Sequence, residues 1–227
     1  MLRYVLLFVF FTYTYAACPP AINAEGGDAN FPPPDGNGNV VIGCVTEIQA
    51  SKYSLCDITG TLTLPTCGSL TTIGNNAFDR AFDSNQEDLT IPDGVTTIGT
   101  QAFNSGFMGT RQKTGIKGTL TIPDSVTSIG ANTFGYNQFD TIRIGSGITS
   151  MSLNAFAVDD ADATTLQHVY VHDLADITSW HPTSKYKYLN FIGSTSYEVH
   201  IGSDDATMTC EQLFDKYTDD GCCTSHA

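Results

Sequence analysis

Positive charge is scarce in this chain, and long apolar runs are missing beyond its first residues. Lys and Arg number 10 against 24 Asp and Glu, a formal net charge of −14. A surplus that large repels phosphate backbones and anionic lipid, so neither nucleic acid nor a membrane surface is expected as a partner. After residue 16 no stretch reaches the roughly 20 apolar residues that a bilayer-spanning helix needs, so no membrane span is expected. Cysteine is missing between Cys67 and Cys210, which leaves the middle of the chain to its own packing. No Asn-x-Ser/Thr acceptor occurs, so no N-linked glycan is expected. There is also no G-x-S-x-G elbow, H-E-x-x-H helix, P-loop or G-x-G-x-x-G turn. Without these the sequence assigns no catalytic residue, no cofactor and no metal ligand, and the chain reads as a non-enzyme.

What is present points to a secreted, turn-rich β protein. Charged residues make up only 15% of the 227, and Thr, Ser, Gly and Asn fill the gap, as suits short strands joined by tight turns. Residues 1–16 read as a secretory signal, with Arg3, an apolar Val5 to Phe11, and Thr14-Tyr15-Ala16 before the cut. The mature protein is expected to be soluble and extracellular, in solution or associated with a cell surface. The disulfide candidates are Cys18, Cys44, Cys56, Cys67, Cys210, Cys222 and Cys223, which fit an oxidising compartment and staple the two ends. Their odd number implies one unpaired or intermolecular thiol. Lipidation of Cys18 is a minor alternative, because Tyr15 stands where such a signal wants Leu.

Residues 17–38 form a Pro- and Gly-rich N-terminal segment. Asp35-x-Asn37-x-Asn39 begins like a calcium loop, but Val40 and Thr46 occupy the positions that need Gly and Glu. The acidic runs Asp83 to Asp88 and Asp159 to Asp162 also lack the full ligand spacing. All three read as solvated loops, and calcium binding, weak at best, is not expected.

The main signal is an internal repeat. Leu89-Thr90-Ile91-Pro92-Asp93-Gly94-Val95-Thr96-Thr97-Ile98-Gly99-Thr100-Gln101-Ala102-Phe103 returns nearly unchanged from Leu120 to Phe134. A third copy runs from Leu62 to Phe78 with two extra residues, Cys67-Gly68, and a fourth from Ile142 to Phe156. A first copy is expected with Val41 in the Ile91 slot and Tyr53 in the Phe slot, and a worn one from Val169 with Ile177 and Trp180. With Val41, Leu64, Ile91, Ile122, Ile144 and Val171 as markers, the steps are 23, 27, 31, 22 and 27 residues. The unit is therefore 22–23 residues, with insertions after the Phe that read as polar loops. Alternation along Leu-Thr-Ile sends Leu and Ile inward and Thr outward. Pro ends the strand, Asp-Gly or Asp-Ser turns the corner, and Gly99 is expected to relieve a tight bend. The expected core comprises Leu64, Phe78, Ile91, Ile98, Phe103, Ile122, Ile129, Phe134, Ile144 and Phe156, with the Phe column as an aromatic spine.

The pattern L-x-I-P-x-x-V-x-x-I-G-x-x-A-F resembles the leucine-rich repeat of BspA-like surface proteins, over roughly residues 39–180. The resemblance implies a right-handed solenoid of about five to six turns with a parallel β-sheet on its concave face. It also implies a surface or extracellular setting, a role in adhesion or protein binding, and no shared catalytic motif. Such repeats often carry Cys three residues after the Phe. Cys56 holds that place after Tyr53, whereas Ala81, Gly106 and Asn137 replace it later.

The chain is thus expected to divide into a signal (1–16), the Pro/Gly segment (17–38), the solenoid (39–202) and an acidic, Cys-containing cap or tail (203–227). In the tail, Cys210 to Tyr217 reads as a short helix. Outward residues form a column, Thr63, Thr90, Thr121, Arg143, Tyr170 and then His200. Its Thr end is ordinary for a strand. Its other end, with Arg143, Tyr170, His168 and His172, is rich in the residue types that anchor protein interfaces. The expected function is non-catalytic binding of an extracellular or surface protein, with Thr90, Thr121, Arg143, His168, Tyr170 and His172 on the binding face. An extracellular coat or assembly protein is the alternative, and a metal-dependent hydrolase built on the His patch a remote one.

Overall fold

A computed structural model of the chain describes residues 29–82, 86–105, 115–152, 154–156, 166–172, 198–202 and 206–209. The expected signal segment, Cys18, the Asp159 to Asp162 run, Ile177, Trp180 and the Cys210 to Tyr217 segment lie outside these residues.

Among the described residues the secondary structure is all strand. The first five turns of chain each lay one strand on a main wall and one on a second wall. On the main wall lie β1 (Val40–Val41), β3 (Leu62–Thr63), β5 (Leu89–Thr90), β7 (Lys117–Ile122), β9 (Gln138–Ile144), β11 (His168–Val171), β12 (Glu198–Ile201) and β13 (Ala206–Thr209). On the second lie β2 (Glu47–Ile48), β4 (Thr72–Ile73), β6 (Thr97–Ile98), β8 (Ser128–Ile129) and β10 (Ser150–Met151). The second wall is one five-stranded parallel sheet in which Ile48, Ile73, Ile98 and Ile129 align. The main wall is a six-stranded sheet from β5 to β13 and a separate pair, β1 with β3. Its pairings are parallel except the last, where β13 runs antiparallel to β12.

A third side carries no strand but a regular backbone ladder. The N–H groups of Tyr53, Phe78, Phe103 and Phe134 donate to the carbonyls of Ala77, Ala102, Thr133 and Ala155 in the next turn at 2.7–2.8 Å. To turn the chain here, Ser51, Asn76, Gln101 and Asn132 all take left-handed backbone conformations, with φ between 50° and 57°. Each cross-turn bond replaces water on a group that would otherwise be buried unpaired.

The core lies between these walls. Leu64, Phe78, Ile91, Ile98, Phe103, Ile122, Ile129, Phe134, Ile144 and Phe156 are all buried. The rings of Tyr53, Phe78, Phe103, Phe134 and Phe156 stack one per turn, with centroids 5.3, 5.1, 5.7 and 5.4 Å apart. Offset stacking at such distances is favourable beyond the area buried. Asn137, three residues after Phe134, is buried and fully bonded. Its Nδ2 donates to the carbonyls of Phe103 and Phe134, and its Oδ1 accepts the N–H of Ile116 and the hydroxyl of Ser105.

Three details depart from the sequence reading. In the first turn Val40 pairs with Leu62 and Val41 with Thr63, so Ile42, not Val41, takes the Ile91 place. Val41 is 60% exposed and Ile42 is buried. The corner at Gly43-Cys44 is one residue shorter than Pro92-Asp93-Gly94, and a one-residue slip reverses every side chain. Gly99 serves close stacking rather than a bend: a Cβ there would sit 2.6 Å from the Asn75 backbone nitrogen. Finally, the insertions do not begin as polar loops. Asp79, Ala81, Phe82, Asn104 and Ser105 are buried, and Asn104 Nδ2 donates to Asp79 Oδ1 at 2.8 Å, joining adjacent turns.

The N-terminal end is stapled. Cys44 and Cys67, at stacked corners, form a disulfide with 6.0 Å between their Cα atoms, and Cys56 is disulfide-bonded too. The two residues that interrupt the third copy, Cys67-Gly68, thus supply one half of the staple.

Candidate functional site

Strand alternation sorts the main wall into two faces. Leu89, Leu120, Ile142, Val169 and Val199 are buried, and the residues between them face outward. Register aligns the outward ones across the sheet: Thr90 with Thr121, Thr121 with Arg143, Arg143 with Tyr170, and Tyr170 with His200. Thr63 is paired by register with Val41, and no ladder joins it to Thr90.

From Arg143 onward the row is a continuous stack. The Arg143 guanidinium carbon lies 4.1 Å from the centre of the Tyr170 ring. Tyr170 stacks on His200 with centroids 4.2 Å apart and planes 11° from parallel. Cation–π contact fixes a long, flexible Arg at reduced entropic cost to any later binding.

The histidines are arranged otherwise than by sequence proximity. His168 does not meet His172; it meets His200 on the next strand, with Nδ1 3.1 Å from Nε2. Register sets Glu198 opposite His168, and period two puts Glu198 and His200 on one face of β12. Glu198 Oε2 is 3.5 Å from His168 Nδ1 and 3.8 Å from His200 Nε2. These three side chains are close enough to hold one ion. His200 is buried, and its Nδ1 has no hydrogen-bond partner among the described residues. Sequence reasoning passed over Glu198. The signal was the Glu-x-His alternation in Tyr197-Glu198-Val199-His200-Ile201, which gains meaning once His168 is known to lie opposite Glu198.

His172 lines a recess of about 290 Å³ together with Asp124, Arg143, Tyr170 and Gly202. Asp124 is tied down beside it: its Oδ1 accepts the Ser146 N–H at 2.8 Å and the Ser146 hydroxyl at 3.2 Å. Those two bonds, the backbone one foremost, hold the Asp124 carboxyl below its ordinary pKa, with a smaller contribution from His172.

Asp35 and Asp88, among the described residues, are bound to backbone. Asp35 Oδ1 accepts the N–H groups of Asn37 and Asn39, and its pKa is lowered, first by the Asn39 N–H. Asp88 Oδ1 accepts the Thr119 N–H at 2.7 Å.

A family model described as the BspA type leucine rich repeat region matches residues 39–157 and 107–177, in six copies. A search of curated proteins gave no match. Among solved structures, a leucine rich cell surface protein from Faecalibacterium prausnitzii A2-165 is similar at 18% identity, over 81% of this chain, with a TM-score of 0.29. The match spans 63% of that protein, less than two thirds of its length. Likeness at that level does not bear on function.

Proposed function

The chain belongs to the BspA-type leucine-rich repeat family, and from that premise we propose that it is an extracellular, non-catalytic module that binds a protein partner through the outward face of its main sheet. The observation that carries this reading is the Arg143–Tyr170–His200 stack, continued by Thr121 and Thr90 on neighbouring strands. Arg and Tyr are the side chains that most often dominate binding energy, and here they are pre-ordered on rigid strands. The adjoining recess, lined in part by Asp124 and His172, offers a place for a partner's side chain beside the stack. His168 extends the same face.

An extracellular setting is supported by the Cys44–Cys67 disulfide and the bonded Cys56, since such bonds persist in oxidising compartments. It agrees with the signal read in residues 1–16. No helix among the described residues is long and apolar enough to cross a membrane.

The test is a binding screen of the secreted protein against arrays of extracellular and matrix proteins. Arg143→Ala/Tyr170→Ala should weaken capture of the true partner by at least tenfold, with the fold unchanged by circular dichroism. Wild type and double variant binding every target equally would remove the proposal.

A further inference from the structure

We infer that His168, Glu198 and His200 form a binding site for a zinc-class divalent transition-metal ion. The inference is independent of the protein-binding reading, because it rests on three ligand atoms and their spacing.

His168 Nδ1, His200 Nε2 and Glu198 Oε2 stand 3.1, 3.5 and 3.8 Å apart. A tetrahedral zinc ion holds such ligands at about 2.1 Å, which separates them from one another by roughly 3.4 Å. The three atoms thus already describe one face of the tetrahedron, and an ion just above their plane would reach all three. Two imidazoles and one carboxylate suit zinc, copper or nickel and disfavour calcium and magnesium, which take oxygen.

Backbone geometry holds the set in place. His168 and Glu198 are directly opposed in parallel register, and His200 follows two residues later on the same face. His200 sits buried at the base beneath the Tyr170 ring. Glu198 is exposed and His168 half-buried, so an ion can enter from solvent and keep a fourth position for water or a partner's group. The net charge of −14 raises the local concentration of cations.

Without an ion the arrangement is poorly satisfied. Two ring nitrogens 3.1 Å apart can share only one proton between them. An ion on Nε2 makes both ring nitrogens ligands rather than competitors. It also leaves the proton on Nδ1, which has no acceptor among the described residues. Metal-binding histidines are strengthened by such an acceptor. The affinity expected is therefore micromolar, weaker than that of closed structural sites.

The experiment is calorimetric titration of Zn²⁺ alone into the metal-stripped full chain, in wild type and in His168→Gln, Glu198→Gln and His172→Gln. The two ligand variants are on the open side of the site, so they should fold; His200→Gln, being buried, is not relied on. Wild type should bind one equivalent at micromolar strength, and Ca²⁺ at equal concentration should not displace it. His168→Gln and Glu198→Gln should each weaken binding more than tenfold, and His172→Gln should leave it unchanged. Co²⁺ should give the intense visible absorption of a four-coordinate ion in wild type and lose it in Glu198→Gln. The inference is overturned if folded wild type binds no zinc, or if a His168→Gln/Glu198→Gln double variant binds as tightly as wild type.

Discussion

Gln86 Oε1 accepts the backbone N–H of Leu62 at 2.6 Å, at the step between β3 and β5 where no strand ladder runs. The same side chain donates through Nε2 to the Asp88 carbonyl. One buried amide therefore stands in for a strand pairing between two turns separated by an insertion. Gln86→Leu keeps the volume but leaves the Leu62 N–H unsatisfied, which costs about 1–3 kcal/mol. Urea unfolding followed by circular dichroism should show a lower midpoint at unchanged slope. An unchanged midpoint would mean that water replaces the side chain at no cost.

Phe103 is a central ring of the spine, 5.1 Å from Phe78 and 5.7 Å from Phe134. Phe103→Ala should cost about 3–5 kcal/mol. Because each turn is held chiefly by its neighbours, the loss should also uncouple the two sides of the array. The expected signature is a broadened or two-step unfolding curve.

Asp124 gives a pH dependence of defined sign. Its folded pKa lies below the ordinary 3.8 because Ser146 donates two hydrogen bonds to the ionised carboxylate. Below pH 3.8 the unfolded chain therefore takes up the proton first, and stability rises with pH through that window. The stabilisation is fully present above it and is lost as pH falls through the folded pKa. Asp124→Asn should be less stable than wild type at pH 7, and the gap should narrow by pH 3. A gap constant between those two pH values would contradict the assignment.

Most of the fold is legible in the sequence because its determinants are local. Leu89, Ile91, Val95, Ile98 and Phe103 state the direction of each side chain within fifteen residues, and the later turns copy them. The first turn misleads because Gly43-Cys44 shortens a corner that Pro92 marks elsewhere, which turns Val41 outward. The left-handed positions are hidden for a different reason. Only Asn76 and Asn132 are of a type that favours this region; Ser51 and Gln101 take it because cross-turn hydrogen bonds impose it. For the site, alternation places Arg143 and Tyr170 on one face. The meeting of His168 with Glu198 and His200 depends on the register of β12 against β11, and the sequence of residues 173–197 carries no clear repeat from which to read it.

The reversal of direction at β13 bears on how such a chain can change length. Parallel turns can be added without limit, since each presents to the next the same edge it received. A strand that doubles back presents a different edge, one that no further copy of the repeat would match. The pair β11–β12, with the histidines and Glu198 it carries, therefore lies beside the strand at which parallel stacking stops among the described residues.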